Sequence, residues 1–140
     1  MDYETVSPED FGKALTGIGL NLLTRDVRAL AAFLGEVFGM RAHRLSDDFA
    51  ILSLGGALLQ LHSDRTFSRH PILGLLPEAG ARGAGIEVRL YEVNPDDAAR
   101  RAEGRPDATV LQPPADKPHG LREAVILSPE GYAFVPSRRL

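Results

Sequence analysis

Apolar residues follow two rhythms along this chain, and the rhythms take turns. GIGLNLL, residues 17 to 23, is apolar with partial alternation, as a half-buried strand is. It runs into TRDVRALAAFLGEVFGM, where Val27, Leu30, Phe33, Leu34, Val37 and Phe38 recur at helical spacing. Asp26 is placed to cap that helix and Gly39 to end it. FAILSL and ALLQLH then flank Gly55-Gly56, the pattern of a hairpin with a tight glycine turn. The order returns further on. GIEVRLY, residues 85 to 91, alternates cleanly; Asn94 and Pro95 supply an N-cap and first helical position, with Asp96 and Asp97 in the first turn. That helix stops at Gly104, and EAVIL and YAFVP around SPEG form a closing hairpin.

The two halves superimpose as sequence. An offset of 68 carries Gly17-Ile18 onto Gly85-Ile86, Leu22 onto Leu90 and Asp26 onto Asn94. An offset of 75 carries LSLGGALLQL onto LSPEGYAFVP, placing Gln60 on Val135. Each half is thus a β-α-β-β(-β) unit. Module one runs over about residues 15–62, a linker rich in Pro and Gly over 63–84, and module two over about 85–137, within a single domain.

Composition narrows the partners. The chain has 140 residues, no cysteine and a net charge of −3, so disulfides, thiolate ligands and a cysteine nucleophile are absent. Its 16 basic residues are scattered, which argues against nucleic acid. The acidic, polar start MDYETVSPEDF resembles neither a signal nor a transit peptide. No apolar run approaches the ~20 residues of a membrane span. The expectation is a cytoplasmic protein without membrane association.

The paired units, the D-V-x-x-L-x-x-F-L-x-x-V-F-G-M run at 26 to 40 and the closing S-P-E-G-Y resemble the glyoxalase/bleomycin resistance protein/dioxygenase (vicinal oxygen chelate) superfamily. Leu34, Ser128 and Tyr132 depart from its usual Tyr, Asp and Asn. The resemblance implies an α+β fold: two βαβββ modules forming a curled, half-open mixed sheet around a small-molecule site. It also implies four positions where metal-dependent members place ligands, falling here on Gly19, Gln60, Glu87 and Val135. Only Gln60 and Glu87 offer donors, while a catalytic divalent metal wants about three. The expectation is therefore no cofactor, and a protein that binds a small organic molecule by sequestration, as resistance-type members do. The alternative is a metal-dependent lyase, isomerase or dioxygenase with displaced ligands, drawn from Gln60, His62, Glu87 and His119.

Strand alternation groups the other candidates. Glu87, Arg89 and Tyr91 share one side of a strand, Gln60 and His62 one side of another, and Asn21 accompanies Gly19. The expected pocket thus comprises Asn21, Gln60, His62, Glu87, Arg89, Tyr91, His119 and Val135. Glu87 and Arg89 also read as a plain cross-sheet ion pair, and His119 as the mark of a turn. His43 and His70 read as surface loop residues, and either Arg122 or Glu123 faces inward. The apolar HPILGLL within the linker, with the family's habit of pairing, predicts a homodimer. Light scattering at micromolar concentration is expected to give twice the 15.2 kDa of one chain; the single-chain mass would contradict it.

Overall fold

In a computed structural model the structure describes residues 1–83 and 85–140. The chain divides into two compact units, the first Met1–Gly35 with Gly39–Leu73, the second Glu36–Phe38 with Gly74–Leu140. Among the described residues no helix is long and apolar enough to cross a membrane.

In the first unit α1 (Pro8–Ala14) precedes β1 (Asn21–Thr24), α2 (Val27–Phe38, its last three residues counted with the second unit), β2 (Arg41–His43), β3 (Phe49–Leu54) and β4 (Ala57–Ser63). α2 begins and ends where its sequence says: the Asp26 carboxylate accepts the Ala29 N–H, and Gly39 turns left-handed. The sheet order is β1-β4-β3-β2, with β1 parallel to β4 and the rest antiparallel. Register sorts its two faces. Leu22, Leu61 and Ala50 align on one, and Leu59 pairs Leu52 beside them; all are buried, as are the α2 side chains Leu30, Phe33 and Leu34. Burying each such leucine or phenylalanine contributes about 1.5–3 kcal/mol. The opposite face carries Asn21, Gln60, Ile51, His62 and Phe49.

The second unit repeats the plan with β5 (Glu87–Tyr91), α3 (Pro95–Glu103), β6 (Thr109–Asp116), β7 (Leu121–Leu127) and β8 (Ala133–Arg139), in sheet order β5-β8-β7-β6. Asn94 caps α3 by accepting from Asp96 and Asp97 N–H. The internal repeat holds at the level of single residues. Asn21 pairs with Gln60 in the first parallel ladder, and their counterparts Arg89 and Val135 pair in the second.

Three features differ from expectation. The first strand of each module starts late, at Asn21 and Glu87, because Gly17 and Gly85 are both left-handed and the ladder cannot begin through them; Ile18 is left 100% exposed. β6 runs through Pro113 and Pro114, which an edge strand with two register shifts tolerates. His43 is no loop residue: it sits in β2 with its Nε2 2.9 Å from Ser53 Oγ.

The linker is not slack. It makes two 3₁₀ turns, Asp64–Phe67 and Pro71–Leu75, and its end docks on the closing turn Pro129–Gly131. Arg82 N–H donates to Glu130 O at 2.7 Å, and the Arg82 side chain, 2% exposed, lies 3.7 Å from the Glu130 carboxylate. A methyl on Gly83 would meet the Tyr132 Cα at 2.6 Å, so this glycine serves close approach of two backbones. Gly83→Ala is expected to cost about 1–3 kcal/mol in urea unfolding. Gly12→Ala, where nothing lies within 4 Å, is the control and is expected to gain a few tenths to about 1 kcal/mol from helix propensity.

Candidate functional site

In each module the crossover helix covers one sheet face, so function-bearing side chains collect on the other. In the first unit Gln60 and His62 leave β4 on that face, and His62 Nε2 lies 3.3 Å from Gln60 Oε1. The His62 ring sits between Phe49 (5.1 Å) and Phe67 (5.4 Å). Burial there pushes its pKa down, so the imidazole is neutral at pH 7 and donates from Nε2 to Gln60. The Gln60 amide nitrogen is then the group left for a ligand. Gly19 and Gln60 line one cavity of about 550 Å³, with Leu15, Leu20 and Gly56 around them. Asn21, on the next strand, is exposed beside Gln60.

In the second unit the expected residues gather around one that sequence reasoning left undecided. Glu123 on β7 is the inward member of the Arg122/Glu123 pair and is 9% exposed. Its carboxylate accepts from Arg89, and His119 Nε2 lies 3.1 Å away. Arg89 also reaches Glu87 at 3.3 Å. Arg122 turns to the helix face, where its guanidinium holds both Asp96 oxygens at 2.8 Å. Alternation failed to choose because both faces of LREAVIL carry apolar residues.

Opposing effects set the charges here. Burial pushes the Glu123 carboxyl up, but hydrogen bonds from His119 and Arg89 outweigh it, and its pKa lies below the ordinary value. Burial likewise works against the Arg89 cation and is outweighed by Glu123, Tyr91 and Glu87. Arg89 is thus a compensated charge. Tyr91 and His119 stay largely exposed, His119 at 54%. Val135 pairs with Arg89 in the ladder but is 0% exposed, packed inside the protein and not on an open face. Ser137, opposite Glu123 and Tyr91, has a buried hydroxyl with no hydrogen-bond partner among the described residues.

The four positions that the family resemblance assigns to a metal do not fit one. Gly19 has no side chain, Val135 is a buried hydrocarbon, and Glu87 is engaged by Arg89. Among the described residues no three His, Asp or Glu side chains gather as a metal ion requires.

No family model matches the sequence, and no curated protein does. Solved structures do. A glyoxalase/bleomycin resistance protein/dioxygenase family enzyme from Burkholderia phytofirmans PsJN superimposes with a TM-score of 0.70 at 22% identity, over 87% of this chain and 97% of that one. The chain has the fold of the glyoxalase/bleomycin resistance/dioxygenase proteins. A member of this fold from Nocardioides covers 94% of the chain and 91% of its own at 21% identity, with a TM-score of 0.65. A lactoylglutathione lyase from Agrobacterium tumefaciens gives 0.62 at 23% identity, over 88% of this chain and 92% of its own. At these identities the glyoxalase-like likeness is one of fold, and it matches the superfamily resemblance seen in the sequence.

The Glu123 cluster has a pH signature. Its folded pKa is depressed, so its contribution to stability is present at neutral pH and lost as pH falls below the ordinary 4.5 and through the lowered folded value. Glu123→Gln is expected to flatten the stability curve across that window, while Glu123→Ala, which leaves Arg89 only the more exposed Glu87, costs about 1–3 kcal/mol at pH 7. Urea melts from pH 7 to pH 3 read both; parallel wild-type and Gln curves would contradict the assignment.

Proposed function

We propose that this protein binds a small organic molecule on the sheet faces turned away from its crossover helices and does so without a catalytic metal. The observation that carries this reading is the pair of half-open cavities, about 550 and 430 Å³, that Gln60 borders on the face opposite α2. Apolar walls with a few polar groups set among them offer a ligand fixed contacts with little left to organise on binding. Sequestration, as in resistance-type proteins of this fold, needs nothing more than that surface.

The donor set is what separates this from the metal-dependent lyase, isomerase or dioxygenase reading. Gln60 and His62 are committed to each other, and Glu87 and His119 to Arg89 and Glu123, so neither the family positions nor their displaced alternatives offer three converging ligands. Two measurements on protein purified without chelator test the proposal. Native mass spectrometry is expected to show a retained small molecule whose occupancy falls in Gln60→Leu. Elemental analysis is expected to show no stoichiometric transition metal; about one Ni, Zn, Fe or Mn per chain, removable with loss of an activity, would replace the proposal with the enzyme reading.

A further inference from the structure

The first unit has a second helix that the repeat does not contain. α1 is held over the sheet face opposite α2 by Arg44, which donates from Nε to Tyr3 O at 2.8 Å and from Nη2 to Val6 O, while its own N–H donates to the Glu4 carboxylate at 3.1 Å. Arg44 takes a left-handed φ of 51°, a strained conformation for a residue with a side chain, and these three bonds hold it there. Under α1 lies a half-open cavity of about 430 Å³, walled by Phe11, Leu15, Phe49 and Ile51, with Arg44 and Gln60 as its polar groups. That volume is within the range of small-molecule pockets.

The two polar groups present the same chemistry. Gln60 has its oxygen turned to His62, so its amide nitrogen donates. Arg44 has only donors, and two of its five N–H groups are used by Tyr3 and Val6. Among the described residues no carboxylate forms a salt bridge with its guanidinium. This is the reverse of Arg89, which two carboxylates already neutralise. A guanidinium with no carboxylate on it, Glu4 being held by the Arg44 backbone N–H instead, at the edge of an apolar cavity whose other polar group also donates, calls for an acceptor that is negatively charged.

We propose that the cavity beneath α1 binds a compact apolar monocarboxylate, its ring or alkyl body against Phe11, Phe49 and Ile51 and its carboxylate received by Arg44 and the Gln60 amide. This rests on the small-molecule reading above and gives it a ligand class and a place. The anion reader is Arg44, not the Arg89 that strand alternation singles out.

Three naphthalene probes separate the contributions: 2-naphthoate, the neutral ketone 2-acetonaphthone and the hydrocarbon 2-ethylnaphthalene, each titrated by fluorescence at two salt concentrations. Naphthoate is expected to bind at least tenfold more tightly than the hydrocarbon, with affinity that falls as salt rises, and the ketone to lie between them. Arg44→Gln, whose amide can still donate to a strap carbonyl, removes most of the naphthoate advantage and leaves the ketone within about threefold. Gln60→Leu weakens naphthoate and ketone but spares the hydrocarbon. Gly12→Leu fills the open space beside the helix and abolishes all three without destabilising the fold, as a thermal melt verifies. If naphthoate binds no better than the ketone, the anion assignment is wrong. If Gly12→Leu leaves binding intact, the cavity is the wrong place, and if Arg89→Ala rather than Arg44→Gln removes the preference, the reader is in the second unit. A retained molecule in native mass spectrometry alongside any of these failures overturns this inference and leaves the broader proposal standing.

Discussion

Each module depends on one parallel pairing, that of its first strand with its last. β1 lies beside β4 and β5 beside β8, so the chain must leave one strand, cross over and return in the same direction before the ladder closes. A crossover of this kind needs a dozen or more residues and is met by a helix, which claims one face of the sheet. The opposite face is thereby left to other uses. In the first unit Gln60 and His62 occupy it; in the second, Arg89 and Glu123. Asn21 beside Gln60 and Arg89 beside Val135 are the same rung of the same ladder, filled with different chemistry.

That rung shows how the modules have separated in role. A guanidinium set between Glu87 and Glu123 is an internal fixture, organising its neighbours and spending little of its charge outward. Arg44 has no equivalent in the second unit, and its guanidinium donates to backbone carbonyls instead of carboxylates. Charge compensation, invisible in a count of basic residues, is what tells the two arginines apart.

Much of the fold was legible because local chemistry and long-range pattern agreed. Asp26 and Asn94 cap the helices they precede, and the Gly55-Gly56 hairpin falls where alternation breaks. What escaped did so for physical reasons. β2 has three residues, too few for a period, and β6 carries two prolines that read as loop unless the strand is known to be an edge. α1 lies outside the repeat, and Phe11 is its one buried side chain, so nothing periodic announces it. Of the candidate site, the face assignments of Gln60, His62, Glu87 and Arg89 followed from alternation. Glu123 did not, since its strand is apolar on both sides, and Arg44 acts through backbone carbonyls that no side-chain pattern records.

The closing turns of the two modules hold the same left-handed residue at the same place in the repeat, Gly55 with φ 57° in one and Glu130 with φ 69° in the other. Glycine takes that conformation freely; glutamate does not. The first hairpin can therefore close on local terms. The second is completed by Arg82, roughly fifty positions earlier in the chain, and must wait for that segment to arrive, a long loop to close for one turn. The repeat seen in sequence begins its second copy at Gly85, but the compact unit takes in the chain from Gly74, with the stretch that contains Arg82. A cut made at the repeat boundary would leave the second copy without the clasp that holds its last hairpin, so the repeat and the compact unit divide this chain at different residues.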